Sequence, residues 1–362
     1  MDLSAQPRSA AGRGLRFLIH RHYVRSALIV IFAIDLVLVL LYFGINTYMS
    51  SVHQRTLMQD ATRNLLDISQ REAGLIESQL DEVRRQALVL QDSHQQFFAA
   101  TSPATLPHGE PQFARHANGS LYKRDDNGGA SLYYSAQNWS PQQLQQARNS
   151  EVLDPLLKAM VRLNPLITQA YINTADGMNR LYPFISDAPE RYGPAPDIQA
   201  YNFYYLADAG HNPTRGPVWT DAYLDPAGQG WMLSCIVPVY HNDTLIGVSG
   251  LDATIRNFVD HVLDLQLPWQ GHAFLVDDNG MILAMPPAIE QLLGLRELKE
   301  HVYESNVADT VLRPEEYNLL LHPDARLRQQ FTDFLSASSR VRELDIDGHD
   351  YLMVRDRVNA TG

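Results

Sequence analysis

The hydrophobic and polar positions of this chain begin with an unbroken apolar run. It extends from Ser26 to Ile45, and Asp35 is the one acidic or basic residue inside it. A run of about 20 residues is long enough to cross a hydrocarbon core of about 30 Å as a helix. The pattern therefore predicts a transmembrane helix over residues 26–48. Because a charge near the middle of the bilayer costs about 2.5 kcal/mol or more, Asp35 would either contact another helix or be a tolerated neutral carboxyl.

After this run the apolar residues become periodic. From Val52 to Leu90 they recur mostly every three or four positions, without proline, which predicts a long amphipathic helix over residues 49–95. Its stripe could pair two protomers as a coiled coil or pack on its own domain, and we expect both uses, hence a homodimer. The stripe consists of Met58, Ala61, Leu65, Ile68, Leu75, Leu80, Val83, Ala87 and Leu90.

Basic residues lie on one side of the apolar run. Arginines from Arg8 to Arg25 precede it against the single acid Asp2, and the first cation after it is Arg55. Positively charged flanks stay in the cytoplasm, so residues 1–25 are predicted to be a cytoplasmic basic tail and the bulk of the chain lies outside. The run is longer than a signal-peptide core and no small-residue cleavage site follows, which favours an anchor over a cleaved signal.

Strand-like patterns follow and recur once. Ala170–Pro183 and Ala273–Pro286 share the order apolar strand, Asp-rich turn with Gly-Met, apolar strand, proline. Each is followed by a longer hairpin, and the second hairpin turns at Asp347 and Gly348. We therefore predict an α+β fold with two tandem modules built on antiparallel sheets. Residues 96–264 form the membrane-distal module and residues 265–362 the membrane-proximal one.

Composition and charge remove several classes of function. The formal net charge of -12 argues against nucleic acid as a partner, because phosphate binding needs clustered Lys and Arg. The single cysteine, Cys235, excludes an intrachain disulfide and a multi-thiolate zinc site. The Gly-Val-Ser-Gly-Leu segment at Gly247 lacks the last glycine of a nucleophile elbow, and no zinc-protease or phosphate-loop motif occurs. We predict no catalytic residue, metal or cofactor, so the expected task is binding.

Three short motifs follow one another in the first module. Tyr223–Asp225 reads Tyr-x-Asp, Pro238–Tyr240 reads Pro-Val-Tyr, and Gly247–Asp252 reads Gly-Val-x-Gly-hydrophobic-Asp. In this order, behind a membrane helix and a long helix, they resemble the double Cache (PAS-like) periplasmic sensor domain of bacterial transmembrane signal-transduction receptors, over roughly residues 27–362. The resemblance implies two PAS-like Cache modules in a protein of the bacterial inner membrane, with a small extracellular ligand bound by the first module.

The resemblance also implies which positions meet the ligand. In the amino-acid-binding branch, an Arg two residues before a Trp-Tyr pair grips the ligand carboxylate. Here Tyr201 stands at the Arg position, and Phe203 and Tyr204 stand at the Trp and Tyr positions. The carboxylate clamp is therefore missing, because a phenol does not reproduce the bidentate guanidinium fork.

The positions that hold the ligand ammonium are retained as Tyr223, Asp225 and Asp252. A carboxylate with aromatic faces attracts a cation by charge-assisted hydrogen bonds and cation-π contact, so we hypothesise an amine ligand with no obligatory carboxylate. Trp219 is a further candidate contact, and Arg180 could either meet an anion or form a surface salt bridge. The alternative for these residues is structural, since strand Asp residues often cap turns and Tyr clusters are often core.

For the output of such a receptor, the resemblance implies a sensor histidine kinase or a diguanylate cyclase, with a chemoreceptor or a phosphatase as alternatives. A different class of function is a membrane-anchored module that binds a periplasmic protein instead of a small molecule. Members of the family usually continue into a second membrane helix, so we expect this chain, which stops at Gly362, to be a truncated part of a longer receptor.

Overall fold

The computed structural model describes residues 11–100, 112–224, 231–254, 260–296 and 317–360. The chain divides into two compact units, residues 1–67 and 68–362. Helix α1 (Ala11–Ala99) is 89 residues long, so the predicted continuation of the apolar helix as one long helix is confirmed.

In the first unit, α1 carries large apolar side chains that are exposed all round the helix. Between Leu28 and Met49 they include Phe32, 69% exposed, and Leu40, 62% exposed. The helix from His20 onward is long and apolar enough, by length and composition, to cross a membrane. An apolar surface of this kind is typical of a segment in contact with lipid.

In the second unit, α1 buries one stripe. Ile76, Leu80, Val83, Ala87 and Leu90 are buried at steps of four, three, four and three residues, as one face of a helix requires. The predicted stripe is therefore correct in its second half, where the helix packs on its own domain. Leu75 of the predicted stripe is exposed, and its neighbour Ile76 is buried on the domain instead.

One large antiparallel sheet dominates the region up to residue 254. Its strands lie in the order β1-β2-β3-β5-β4-β9-β8-β6, and β7 pairs with β8. The central strands are long because the apolar runs are long. Strands β8 and β9 are joined by a two-residue turn, Asn242 and Asp243, and both turn residues have positive φ. The strands are β1 (Phe113–Arg115), β2 (Leu121–Lys123), β3 (Ser131–Tyr134), β4 (Ile167–Thr174), β5 (Met178–Tyr182), β6 (Val218–Trp219), β7 (Tyr223–Leu224), β8 (Trp231–His241) and β9 (Thr244–Thr254).

The two faces of this sheet have different covers. On the face that we call the helix face, α1 and α3 form a core with the sheet, in which Leu90 and Leu157 pack with Leu251 and the buried thiol of Cys235. The opposite face, which we call the aromatic face, packs against the segment that contains α5. The helices of this region are α2 (Pro141–Asn149), α3 (Asp154–Leu163), α4 (Ala188–Tyr192) and α5 (Asn202–Tyr205).

The second repeat of the sequence forms two separate hairpins in the described part of the chain. Strand β10 pairs with β11, and β12 pairs with β13 around the predicted turn at Asp347 and Gly348. Their shared core includes Ile282, Phe331 and Leu344. The α+β class and the antiparallel pairing are thus confirmed. The elements are β10 (Leu275–Val276), β11 (Ile282–Ala284), α6 (Pro287–Leu293), α7 (Ala325–Ser336), β12 (Val341–Ile346) and β13 (His349–Val354).

Candidate functional site

A buried carboxylate lies near the centre of the aromatic face. Asp252 on β9 is 2% exposed, and its Oδ1 accepts a hydrogen bond of 2.5 Å from the Ser234 hydroxyl on β8. The hydroxyl groups of Ser234 and Tyr223 are 2.6 Å apart. Three side chains from three neighbouring strands therefore form one hydrogen-bonded row, and two of them were predicted from the sequence.

Strand register explains why the row forms. Ser234 lies directly opposite Asp252 in the β8–β9 pair, so both side chains leave the same face of the sheet. The main chain of Ser234 is fixed by Thr220, whose Oγ1 accepts its N–H at 3.0 Å and whose N–H donates to its carbonyl at 3.0 Å. On the other side of Asp252, the buried Gln169 is its direct partner on β4.

Aromatic rings surround this row. Tyr201 stacks on Phe203 with ring centres 4.9 Å apart, and Phe203 in turn lies 5.4 Å from Tyr223 and 6.3 Å from Tyr171. Gly250 makes room for the Tyr171 ring, because a Cβ there would stand 2.3 Å from its Cζ atom. A small residue at this strand position is thus required by the aromatic packing.

Burial changes the chemistry of the phenols in this layer. It raises the pKa of Tyr204 to about 12, with smaller contributions from the negative charges of Asp176 and Asp208. The pKa of Tyr201 is also raised, first by burial and then by Asp197. The hydroxyl oxygen of Tyr204 is buried and has no hydrogen-bond partner among the described residues. At neutral pH both groups are therefore neutral phenols, whose rings and oxygen lone pairs can face a cation.

Two predicted site residues lie on the other face of the sheet. Arg180 is fully buried, and its Nε donates to Asp154 at 2.6 Å. Ile172 is the cross-strand partner of both Arg180 and Ser249, so these side chains share the helix face, whereas Asp252 lies three positions beyond Ser249 on the opposite face. Arg180 therefore lies on the face opposite Asp252, and its salt bridge is buried and not on the surface as the sequence analysis considered.

Trp219 is displaced in the same way. It pairs with Cys235, the partner of Leu251, and packs into the core of the helix face. The structure therefore separates Trp219 from the Asp252 row. Asp225, the remaining predicted residue, lies outside the described residues.

Ser234, Gln169 and Tyr171 were missed by the sequence analysis. No motif marks them, because each is recognised only through its partner: Ser234 and Gln169 through the register with Asp252, and Tyr171 through Gly250. Counting the β8–β9 pairs back from the hairpin turn would not have identified Ser234. An irregularity between Val239 and Tyr240 shifts the pairing by one residue, so the count would place the wrong side chain opposite Asp252.

The strand that carries Asp252 is also tied to α1. His94 on α1 is fully buried, and its Nδ1 lies 2.5 Å from the hydroxyl of Ser249 on β9. Desolvation by burial lowers the pKa of His94 to about 3, so the ring is neutral at physiological pH. Gln91, one turn earlier, donates to the carbonyl of Pro238 on β8 at 2.7 Å.

The Asp252 row carries no base for a nucleophile among the described residues. In the Asp252 row, Ser234 lies between a carboxylate and a phenol, and no imidazole or amine of the described chain bonds to its hydroxyl to act as a base. Among the described residues, no group of three or more His, Cys, Asp or Glu side chains could hold a metal ion. What the row offers is a negative charge with oxygen acceptors in an aromatic setting, which suits a cation.

No protein-family model matches the chain. In sequence it is similar to the methyl-accepting chemotaxis protein McpA of Pseudomonas putida, with 28% identity over 133 residues, which is 33% of this chain and 19% of that protein. The chain thus matches about a fifth of the length of this relative. This similarity in sequence supports the predicted resemblance to a bacterial transmembrane receptor.

The chain also matches several solved structures, at TM-scores below 0.5. One is the ligand-binding domain of the Pseudomonas aeruginosa amino acid chemoreceptor PctC in complex with GABA. The match has a TM-score of 0.45 and 18% identity, and it covers 83% of this chain and 94% of that chain. Another is the ligand-binding domain of the Pseudomonas fluorescens chemoreceptor CtaA with L-isoleucine, with a TM-score of 0.45, 16% identity and coverage of 83% and 87%. A third is that of Campylobacter jejuni Tlp3 with L-norvaline, with a TM-score of 0.43, 14% identity and coverage of 83% and 89%.

Proposed function

We propose that this chain is the extracytoplasmic sensor part of a bacterial transmembrane receptor and that its first module, residues 96–264, binds a small molecule with a protonated amine. The observation that carries the proposal is the buried carboxylate of Asp252, bonded to Ser234 and set among aromatic rings. A ligand ammonium at this place would gain a charge-assisted hydrogen bond to the carboxylate and cation-π contact with the rings.

The ligand does not need a carboxylate in this proposal. Tyr201, at the position of the carboxylate-gripping Arg of the resembling family, lies flat on Phe203 and offers no guanidinium. Arg180, the other candidate for an anion contact, is committed to Asp154 on the helix face. The rest of the aromatic layer presents phenols, which do not replace a bidentate clamp.

The test uses the full chain in lipid nanodiscs and isothermal titration with two probes that differ only in a carboxylate, n-pentylamine and L-norleucine. We expect n-pentylamine to bind and L-norleucine to bind at least tenfold more weakly. Asp252→Asn is expected to weaken n-pentylamine at least tenfold, because a charge-assisted hydrogen bond contributes about 1.5–3 kcal/mol. The matched control is Asp356→Asn, which removes an exposed carboxylate of the second module and leaves binding unchanged. Tight binding of L-norleucine without detectable binding of n-pentylamine would contradict the proposal.

A gain-of-function variant sharpens the same point. Tyr201→Arg places a guanidinium at the missing clamp position, so we expect it to raise the affinity for L-norleucine relative to n-pentylamine. The control is Tyr201→Lys, which adds a charge without the planar fork and is expected to raise it less. Equal effects of the two substitutions would contradict the clamp argument.

The similarity to a chemotaxis protein supports a chemoreceptor output over a histidine kinase or a diguanylate cyclase. In this proposal the chain lies in the bacterial inner membrane through α1, and the receptor sends the signal to a methyl-accepting output domain. The sequence of the full-length receptor tests the choice. A second membrane helix and a long helical signalling domain are expected in it, and a kinase or cyclase domain would overturn the choice.

A homodimer through α1 completes the proposal. Leu75 and Val89 are 43% and 54% exposed on one side of α1, which leaves apolar surface for a second copy. Oxidative crosslinking of Val89→Cys in nanodiscs, with Cys235→Ser as background, tests it. We expect a disulfide-linked dimer at this position and none for the buried control Val83→Cys. The reverse result would contradict a dimer on this face.

A further inference from the structure

Helix α1 carries a short basic segment directly before its exposed apolar part. We call this segment, residues 20–25, the basic turns. Asp2 and Asp35 are the first two acidic residues of the chain, so no carboxylate of the neighbouring sequence balances the positive charge. The basic side chains of the segment, all exposed, are His20, Arg21, His22 and Arg25.

Helix geometry gathers these side chains on one face. Arg21 and Arg25 are four residues apart, so their Cβ atoms lie about 5–6 Å from each other on the same side of α1. His22 precedes Arg25 by three residues and joins this side. Tyr23, 75% exposed, lies about half a turn away, and tyrosine is a residue typical of the membrane–water interface.

The two arginines have no partner of their own chain. In the part of the chain that the structure describes, neither Arg21 nor Arg25 forms a salt bridge or a side-chain hydrogen bond. Further along α1, by contrast, Arg71 and Arg85 each pair with a glutamate of the same helix. Both guanidinium groups of the basic turns therefore keep all their N–H donors for an external acceptor.

The position of the basic turns on α1 indicates what that acceptor is. Helix α1 continues without a break into large exposed apolar side chains, which begin with Leu28 at 57% exposure. Residues 20–25 extend over about 7.5 Å of the helix axis, because each residue adds about 1.5 Å. The polar headgroup layer on each side of a bilayer is about 5–8 Å thick. When the apolar part lies in hydrocarbon, the basic turns lie among the headgroups.

We infer that the basic turns bind the headgroups of anionic phospholipids at the N-terminal end of the membrane span. Guanidinium groups donate paired N–H bonds to phosphate oxygens, and each arginine near an anionic surface contributes about fivefold to the affinity. The inference rests on the membrane placement of α1 in the proposed function. It adds a second class of ligand, which is independent of the amine proposed at Asp252.

The experiment is native mass spectrometry of the full chain in detergent micelles. The probes are phosphatidylglycerol and phosphatidylcholine with the same acyl chains. Wild type is expected to bind phosphatidylglycerol at least about threefold more tightly, and Arg21→Gln/Arg25→Gln is expected to bring the two lipids to within about 1.5-fold. Arg21→Lys/Arg25→Lys keeps both charges and is expected to retain at least about half of the preference.

The matched control is Arg55→Gln/Arg63→Gln, which removes two exposed arginines of α1 beyond the apolar run and leaves the preference unchanged. Equal affinities of wild type for the two lipids overturn the inference. A preference that survives in Arg21→Gln/Arg25→Gln, or that is lost in the control, does the same. If the double variant does not fold, the single glutamine variants replace it, and each is expected to halve the preference.

A separate measurement tests the membrane placement. The full chain is reconstituted in vesicles of the two lipids and washed with alkaline carbonate, and we expect it to stay with the vesicles. Release into the supernatant overturns the placement of α1 in the membrane. Retention without a preference for phosphatidylglycerol overturns only the lipid inference, and neither result alters the amine titration that tests Asp252.

Discussion

The hairpins β8–β9 and β12–β13 carry the same serine-aspartate pattern in different surroundings. Ser234 lies eight residues before the turn at Asn242, and Ser339 lies eight residues before the turn at Asp347. Asp252 is the cross-strand partner of Ser234. In the second hairpin the register continues past Val341 and Val354 through the 2.9 Å bond from Arg355 N–H to Arg340 carbonyl, which brings Asp356 opposite Ser339.

The two aspartates nonetheless have different partners. Asp252 is 2% exposed and is held by a neutral serine, whereas the side chain of Asp356 is 22% exposed and pairs with Arg340. Ser339 donates to the carbonyl of Val341 instead of the aspartate. Asp356 thus forms a partly exposed ion pair, whereas Asp252 is buried and accepts a hydrogen bond from a serine hydroxyl.

Sheet topology accounts for the difference. Strand β9 has neighbours on both sides, β4 and β8, and the segment around α5 covers the aromatic face. In the part of the chain that the structure describes, β12 and β13 pair only with each other, so their ends remain near solvent. A local sequence pattern therefore becomes a candidate site only where the tertiary structure buries it.

Removal of a buried charge partner gives the largest expected contrast between the modules. Asp154→Ala leaves Arg180 buried without its carboxylate, so we expect the free energy of unfolding to fall by about 3–5 kcal/mol. Asp278→Ala in the second module breaks an exposed pair with Arg357, for which about 0–1 kcal/mol is expected. Urea unfolding of the full chain in detergent measures both. Equal losses of unfolding free energy in the two variants would contradict the claim that burial makes the Arg180–Asp154 pair more important for stability than the exposed pair.

The two hairpins also differ in the space around a glycine, Gly250 in the first and Gly348 in the second. Gly250→Ala would drive a Cβ into the Tyr171 ring, and we expect a loss of about 1–3 kcal/mol. Gly348→Ala in the second hairpin meets no atom within 4 Å, and its φ of +79° leaves only a backbone strain of about 1–2 kcal/mol. Tyr171→Leu is expected to relieve Gly250→Ala and to do nothing for Gly348→Ala. Thermal unfolding of the single and double variants decides it.

Acid titration tests the packing of α1 on β9. Burial lowers the pKa of His94 to about 3, below the value near 6.5 of an unfolded chain, so the unfolded state binds a proton that the folded state does not. The stability is therefore complete above pH 6.5 and is lost as the pH falls toward 3, by about 2 kcal/mol between pH 7 and 5. His94→Asn, whose amide can still meet Ser249, is expected to remove this part of the pH dependence. An unchanged slope would show that other groups cause it.

The smallest expected effect belongs to Asp356. Replacement by Asn breaks a partly exposed pair with Arg340, so we expect a change in unfolding free energy of about 0–1 kcal/mol. The comparison with Asp252→Asn in the same unfolding assay is informative because both variants remove one charge from matching hairpin positions. A larger loss for Asp356→Asn than about 1 kcal/mol would mean that the second carboxylate is also structurally critical.

Local patterns in the sequence predicted much of the fold. The three- and four-residue steps after Val52 predicted α1, and the Asp347–Gly348 pair predicted the second hairpin turn, because helix periodicity and turn conformation depend on neighbouring residues alone. Asp252, Tyr223 and the Tyr201–Tyr204 segment were also predicted, and the structure brings them to one face. Whether they bind a ligand stays a prediction.

The face of each strand was not predictable. Both faces of β4, β8 and β9 are buried, so their sequences lack the alternation of polar and apolar residues that would assign a side chain to one face. Arg180 on β5 and Trp219 on β6 were candidates for ligand contact in the sequence analysis, and strand pairing places both on the helix face.

By itself the sequence determined the elements that short-range forces specify: the apolar run, the long helix and the tight turns. Only the tertiary structure decided which side chains meet, namely that Ser234 stands between Asp252 and Tyr223 and that Arg180 is committed to Asp154. The physical reason is that burial and strand register are properties of several distant segments together. The charge and shape of a residue are set by its own side chain, but the partners of a buried polar or charged group come from segments that only the fold brings together.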